Sequence, residues 1–170
     1  HHLFTAPVAV KQRIAEELHH RYGADLLRCD DDLRTDLQVL KKYARLLGRH
    51  MEATGMNTLC THCAAGSGRG CCSLFMAGET DAVQLLMNML AGIAVRPVRN
   101  DSEHCCYLGD KGCLFAFKPM FCLNYNCSAI YDALSPDDMR KLEQLTGWLL
   151  GKQYEVEKKL LDLIGPRLKK

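Results

Sequence analysis

The chain has 170 residues, 48% of them hydrophobic and 25% charged, with a net charge of +2. That length suits one domain with a real core, and that balance argues against extensive disorder. A charge so mild, with both signs interleaved, points away from a nucleic-acid partner, and no apolar run reaches the ~18 residues that span a bilayer.

The opening "HHLFTAPVAV" lacks a signal peptide's basic region, apolar core and cleavage site. His1 and His2 read as a tag remnant, and a cytoplasmic location is the expectation provided no leader was trimmed. Residues 7–55 carry a helical pattern. Val10, Ile14 and Leu18 mark a first amphipathic helix, which Gly23 should end. Leu26, Leu33, Leu40 and Leu47 then recur every seven residues, with Leu37, Ala44 and Met51 beside them and Gly55 as the stop. The run Asp30-Asp31-Asp32 and the tail Arg167-Leu-Lys169-Lys170 read as solvated surface. His19, His20 and His50 are expected at the surface, and Cys29 as a small buried apolar residue.

The segment 58–128 has a different character. Nine of the ten cysteines lie between Cys60 and Cys127. A disulfide scaffold would spread its bridges through a small loop-rich chain, and clustered thiols in a reducing cytosol point to metal or redox chemistry instead. Thr80 is placed to cap a helix from Asp81 to Leu90, with Gly92 after it. "IAVRPV", "HCCYL" and "CLFAF" read as short strands, the last two joined by a turn at Gly109-Asp-Lys-Gly112. The stretch "MFCLNYNCSAIYDAL" turns helical towards its end, and the cysteines are expected on loops and this small ribbon.

Residues 135–165 read as one long helix. Ser135 is a good N-cap, Pro136 suits the first helical position, and Asp137 and Asp138 favour the positive end. Leu142, Leu149, Val156 and Leu163 repeat every seven residues, flanked by Leu145 and Leu160, up to Gly165-Pro166. Gly147 and Gly151 suggest a close helix crossing. Trp148 and Met139 read as core or interface. The two heptad-like helices suggest an antiparallel scaffold pair, with a homodimer seam as the alternative. The expected fold is one mainly α domain: helical arms flanking a small cysteine-rich metal-binding centre with a short β-hairpin.

Thiolates bind borderline and soft metals strongly, and four make a closed tetrahedral site. Cys60-x-x-Cys63 has knuckle spacing, Cys71 and Cys72 follow within nine residues, and Cys113, Cys122 and Cys127 supply more. Eight thiols make two four-thiolate sites or one polynuclear cluster. Adjacent Cys71 and Cys72 strain to serve a single ion. The Gly-rich spacer "AAGSGRG" reads as a wrap that brings backbone N–H groups to sulfur. Its glycines lack the signature of a phosphate loop. On the hairpin, Cys105 and Tyr107 should face one side, Cys106 and Leu108 the other, so one member of the Cys105-Cys106 pair joins the centre. Phe115, Phe117 and Phe121 would form an apolar shell. His62 and His104 are lesser candidates, because the thiols suffice without them.

These motifs resemble the YkgJ-type cysteine-cluster family, described as zinc- or iron-chelating domains. Its members carry C-x-x-C-x-x-C-C, then C-x-x-L, a Gly-containing hairpin, C-x-I-Y and R-P-x-x-C. Cys60, Cys63, Cys71 and Cys72 match the first run with a longer spacer. Cys105-Cys-Tyr-Leu108 matches C-x-x-L and favours Cys105 over Cys106. Cys113 follows Gly112, and Lys118-Pro119-Met-Phe-Cys122 stands where R-P-x-x-C belongs. Leu114-Phe115 replaces Ile-Tyr, lysine replaces arginine, and Cys106 and Cys127 are additions. The resemblance covers roughly residues 58 to 128 and implies metal chelation; with Cys127 added from the thiol spacing, the expected metal set is Cys60, Cys63, Cys71, Cys72, Cys105, Cys113, Cys122 and Cys127.

Three functions follow as expectations. The first is a metal-chelating cysteine-cluster protein holding a zinc ion or an iron–sulfur cluster, the latter for electron transfer or redox sensing with a redox or protein partner. The second is a structural zinc module stabilising a helical interaction protein. The third, a dithiol oxidoreductase using Cys60 and Cys63, lacks the βαβ context. No reaction and no hydrolase constellation is legible.

Overall fold

A computed structural model describes residues 2–65, 71–100, 103–110 and 112–168, with the backbone alone for 64 and 65. The Gly-rich wrap at 66–70 lies outside the described residues, as do Lys111 of the hairpin turn and Lys169 and Lys170 of the basic tail. The chain is mainly helical with one two-stranded antiparallel hairpin, as expected. The elements run α1 (His2–Thr5), α2 (Val8–Cys29), α3 (Asp31–Ala53), α4 (Met56–Ala65), α5 (Leu74–Gly78), α6 (Ala82–Leu90), β1 (Leu108–Gly109), β2 (Gly112–Cys113), α7 (Met120–Asn124), α8 (Ser128–Ala133) and α9 (Pro136–Ile164). A 3₁₀ turn at Gly165–Arg167 follows.

Gly23 does not end the first helix. It is buried inside α2, where a Cβ would meet the His19 ring at 3.1 Å. Close side-chain packing explains a glycine there better than chain reversal does. The break falls at Asp30, which is extended and accepts from the Leu33 backbone N–H at 2.7 Å. The acidic run therefore supplies an N-cap and two first-turn acids, all favourable at a helix's positive end. The heptad-like leucines cross this break: Leu26 sits on α2, while Leu33, Leu40 and Leu47 sit on α3, and all four are buried. Gly55, at φ +72°, is the stop after α3.

Helix α9 starts as its sequence dictates. Ser135 Oγ accepts from the Asp138 backbone N–H at 3.1 Å, with Pro136 in the first turn. Met139, Leu142, Leu145, Leu149, Val156 and Leu160 form its buried stripe, and Ile164 takes the last fully buried position while Leu163 is half-buried. One expectation fails here. Gly147 and Gly151 are exposed with open space around them, so no close crossing explains them. Of the two places expected for Trp148, core or interface, core is ruled out: it is exposed, its ring 5.9 Å from that of Tyr43.

Helices α3 and α9 pack antiparallel. At one end His50, buried and not at the surface as expected, donates from Nε2 to the Asp138 carbonyl at 2.9 Å. At the other, Asp36 near the start of α3 meets Lys152 and Lys159 late in α9, each at 2.6 Å. Burial pushes the Asp36 carboxyl up, but hydrogen bonds and charge from the two lysines outweigh it and hold the group below its ordinary 3.8. Its stabilising contribution is therefore full above pH 3.8 and is lost as pH falls through the lowered value. Asp36→Ala leaves two cations facing each other and should cost about 2 kcal/mol, between an exposed and a buried pair. Urea denaturation at pH 7 measures this, and the loss should shrink near pH 2.

Helix α6 is the central element, buried at Ala82–Asn88 and Leu90 and packed on α2 and α9. Its cap is Asp81, which accepts from the Gln84 N–H at 2.7 Å, one residue later than the expected Thr80. Thr80 is buried, and its carbonyl and that of Gly78 accept from buried Lys11 Nζ at 2.9 and 2.8 Å. The "IAVRPV" stretch has no strand ladder, and the other two expected strands shrink to residue pairs, Leu108↔Cys113 and Gly109↔Gly112. The hairpin turn falls where the glycines put it. Among the described residues no helix is long and apolar enough to cross a membrane.

Candidate metal centre

Cys60 and Cys63 lie on helix α4, contrary to the expected loop knuckle. Three-residue spacing still sets both on one face, because side chains three apart are neighbours on a helix. Cys71 and Cys72 lead into α5, capped by Ser73. This lead-in is tied to the segment before β1. The Cys105 N–H donates to the Cys72 carbonyl at 2.8 Å, the Leu74 N–H to the Glu103 carbonyl at 3.2 Å, and Ser73 bridges His104. Cys113 is on β2 opposite Leu108. Cys122 is on α7, which Pro119 opens, and Cys127 is the N-terminal flank of α8.

A clamp from α6 fixes the chain between Cys113 and Cys122. Asn88, fully buried, donates from Nδ2 to the Phe117 carbonyl at 3.0 Å. Its Oδ1 accepts from the Ala116 and Phe117 N–H groups at 3.2 and 3.0 Å. Gln84, one turn earlier, donates to the same Phe117 carbonyl at 2.6 Å. Such peptide groups are costly to bury unpaired, so this clamp dictates the path of the cysteine-bearing segment.

A cavity of about 970 Å³ opens between these elements, and seven of the eight cysteines proposed as ligands line it, all but Cys127. Cys105 is in the wall and Cys106 is not, as the expected one-of-two choice requires, although Tyr107 and Leu108 both reach it. Neither His62 nor His104 lines it. Cys29 is exposed at the end of α2, not buried, and takes no part. All ten cysteines are free thiols. Among the described residues, no group of three or more His, Cys, Asp or Glu side chains is already gathered to hold a metal ion.

Burial favours the neutral form of several of these thiols. Burial, reinforced by neighbouring Cys71, Cys113, Cys105 and Cys60, pushes Cys72 up to about 12. Burial pushes Cys105 up to about 11 against a backbone hydrogen bond. Cys122 is pushed up to about 12 by burial and by Cys113, Cys105 and Cys72, with Lys118 opposing; its residue is exposed, so solvent moderates the effect. Cys60, Cys71 and Cys113 are raised too, burial first in each case.

Four cations line the wall, Lys41, Arg45, Arg99 and Lys118, the last two on the cysteine-rich segment. Lys118 opposes the upward push on Cys60, Cys113 and Cys122. Arg99 donates from Nε to the Leu108 carbonyl at 2.6 Å. Sequence reasoning missed Arg99 because "RPVRN" carries no spacing that ties it to the thiols. The aromatic shell is only partly as expected. Phe115 is buried in the wall and Phe117 is buried outside it, but Phe121 is 52% exposed and Phe75, also in the wall, 75%. Aromatic rings thus rim the opening instead of sealing it. Neither a family model nor any curated protein or solved structure compared with the chain matches it.

Proposed function

We propose that this chain is a metal-chelating cysteine-cluster protein of the YkgJ type, holding a zinc or iron–sulfur centre in the thiol-lined cavity. One observation carries the reading: seven thiols from five segments of the chain line one space. The donors suit the group. Thiolate sulfur is the ligand that borderline and soft metals prefer, and more than four are present. A dication with four thiolates is an anion of charge −2, which Lys118 and Arg99 in the same wall would favour. When bound, an iron–sulfur centre supplies one-electron chemistry and zinc supplies structural cross-linking. The chain's own residues hold the thiols in register through the Asn88 clamp and leave an open, aromatic-rimmed mouth.

That open mouth, rimmed by exposed Phe75 and Phe121, would leave a centre within reach of a protein partner, which favours electron transfer or redox sensing over a purely structural role. A structural zinc module is the second reading, favoured by Cys60 and Cys63 on one face of α4. Free thiols in this number fit a reducing compartment such as the cytoplasm. Anaerobic purification followed by visible spectroscopy and assay of iron, zinc and acid-labile sulfide tests both. Brown colour with sulfide is expected for the first, and a colourless sample with zinc for the second. A chain that keeps neither metal, and cannot be loaded with either, overturns both.

A further inference from the structure

Resting on the metal-chelating reading, we propose that the eight cysteines form two four-thiol centres rather than one cluster. Cys60, Cys63 and Cys71 of the cavity wall, with Cys127 from beyond it, make the first, and Cys72, Cys105, Cys113 and Cys122 the second. The Cys71–Cys72 peptide divides them.

Helix α4 joins the first set: Cys60 and Cys63 share one of its faces, and it packs against α8, whose N-terminal flank is Cys127, as well as against β2, which carries Cys113 of the second set. Backbone bonds support the second. The Cys105 N–H is bonded to the Cys72 carbonyl at 2.8 Å, and the Leu108 N–H to the Cys105 carbonyl at 3.0 Å. Leu108 pairs with Cys113 across the hairpin, so Cys72, Cys105 and Cys113 are stitched into one corner. Cys122 follows from the segment held by Asn88.

The mutual electrostatic influence of the thiols divides along the same line. Cys60 is affected by Cys71, Cys127 and Cys63, and Cys71 by Cys63 and Cys127. Cys122 is affected by Cys113, Cys105 and Cys72, and Cys105 by its neighbour Cys106, which belongs to neither set, and by Cys113. Cys72 alone is affected by members of both sets. Adjacent cysteines strain to close on one ion, and this division gives each a centre of its own. Lys118 influences Cys60 on one side and Cys113 and Cys122 on the other. A cation between two anionic centres would ease their mutual repulsion.

The test is anaerobic titration of the reduced, metal-free full chain with Co(II), whose thiolate charge-transfer absorption reports four-sulfur sites, followed by displacement with Zn(II) and metal analysis. Wild type should bind two ions per chain. Cys63→Ser and Cys122→Ser, both at exposed residues, should each halve the four-thiolate absorption, and the double variant should abolish it. Cys71→Ser and Cys72→Ser should each remove one centre, and Cys29→Ala neither; circular dichroism checks that each variant is folded. Loss of all four-thiolate absorption in a single folded variant, or one ion in wild type, overturns the two-centre proposal and leaves chelation standing. No binding by wild type overturns chelation itself.

Discussion

Removing the metal from the loaded protein is expected to lower its melting temperature by roughly 20–40 °C, the largest single effect on this chain. Thiolate zinc sites contribute on the order of 10 kcal/mol, and a domain of this size shifts about 2–4 °C per kcal/mol. Binding by the thiols of the unfolded chain subtracts from that figure. The metal-free protein should still fold, because α2, α3, α6 and α9 build a core of Leu, Val, Ala and Met side chains that needs no metal. Thermal denaturation with and without a chelator measures the shift, and identical melting curves would refute it.

The same experiment has a definite pH dependence. Burial raises the Cys72 and Cys105 thiols to about 12 and about 11. At neutral pH a metal must displace their protons, so each thiol ligated adds tenfold in affinity per pH unit, roughly 10⁴ for a four-thiol centre. In the metal-free chain the sign reverses. The stability tied to these neutral thiols is complete below their ordinary value of 9.0 and is lost as pH rises from there through about 11 to 12. Chelated protein should therefore lose stability above pH 9 while loaded protein resists.

Asn88→Ala should cost about 3–5 kcal/mol, the largest effect expected outside the cysteines. The substitution removes a fully buried amide and orphans the Ala116 and Phe117 N–H groups. Each buried orphan costs about 1–3 kcal/mol. Gln84 still serves the Phe117 carbonyl, which limits the damage to the two donors and the cavity left behind. Because the freed segment links Cys113 to Cys122, metal affinity should fall along with stability. Asn88→Asp retains the acceptor and should recover part of both. A denaturation midpoint unchanged from wild type would show that the clamp is not a clamp.

Local chemistry written into consecutive residues proved readable. Ser135 and Pro136 open α9, Gly55 stops α3, and Gly109 and Gly112 set the hairpin. Errors arose where a neighbour distant in sequence decides. Gly23 continues a helix because the helix has its own stop at Asp30. His50 is buried because α9 brings the Asp138 carbonyl to it. Gly147 and Gly151 suggest a close approach, yet no element packs over them. The short strands failed for a related reason: alternation marks a possible pleat, but a ladder needs a partner, and only two residue pairs found one.

By itself the sequence determined a helical protein with its thiols concentrated in one segment, because capping residues, apolar periodicity and cysteine spacing act over a few residues at a time. Tertiary structure alone decided which thiols share a cavity, that Cys105 enters it and Cys106 does not, and that Arg99 stands among them. The physical reason is that hydrogen bonds from α6 and between the Cys72 and Cys105 backbones fold the segment back on itself, and no local pattern records where those distant partners will be.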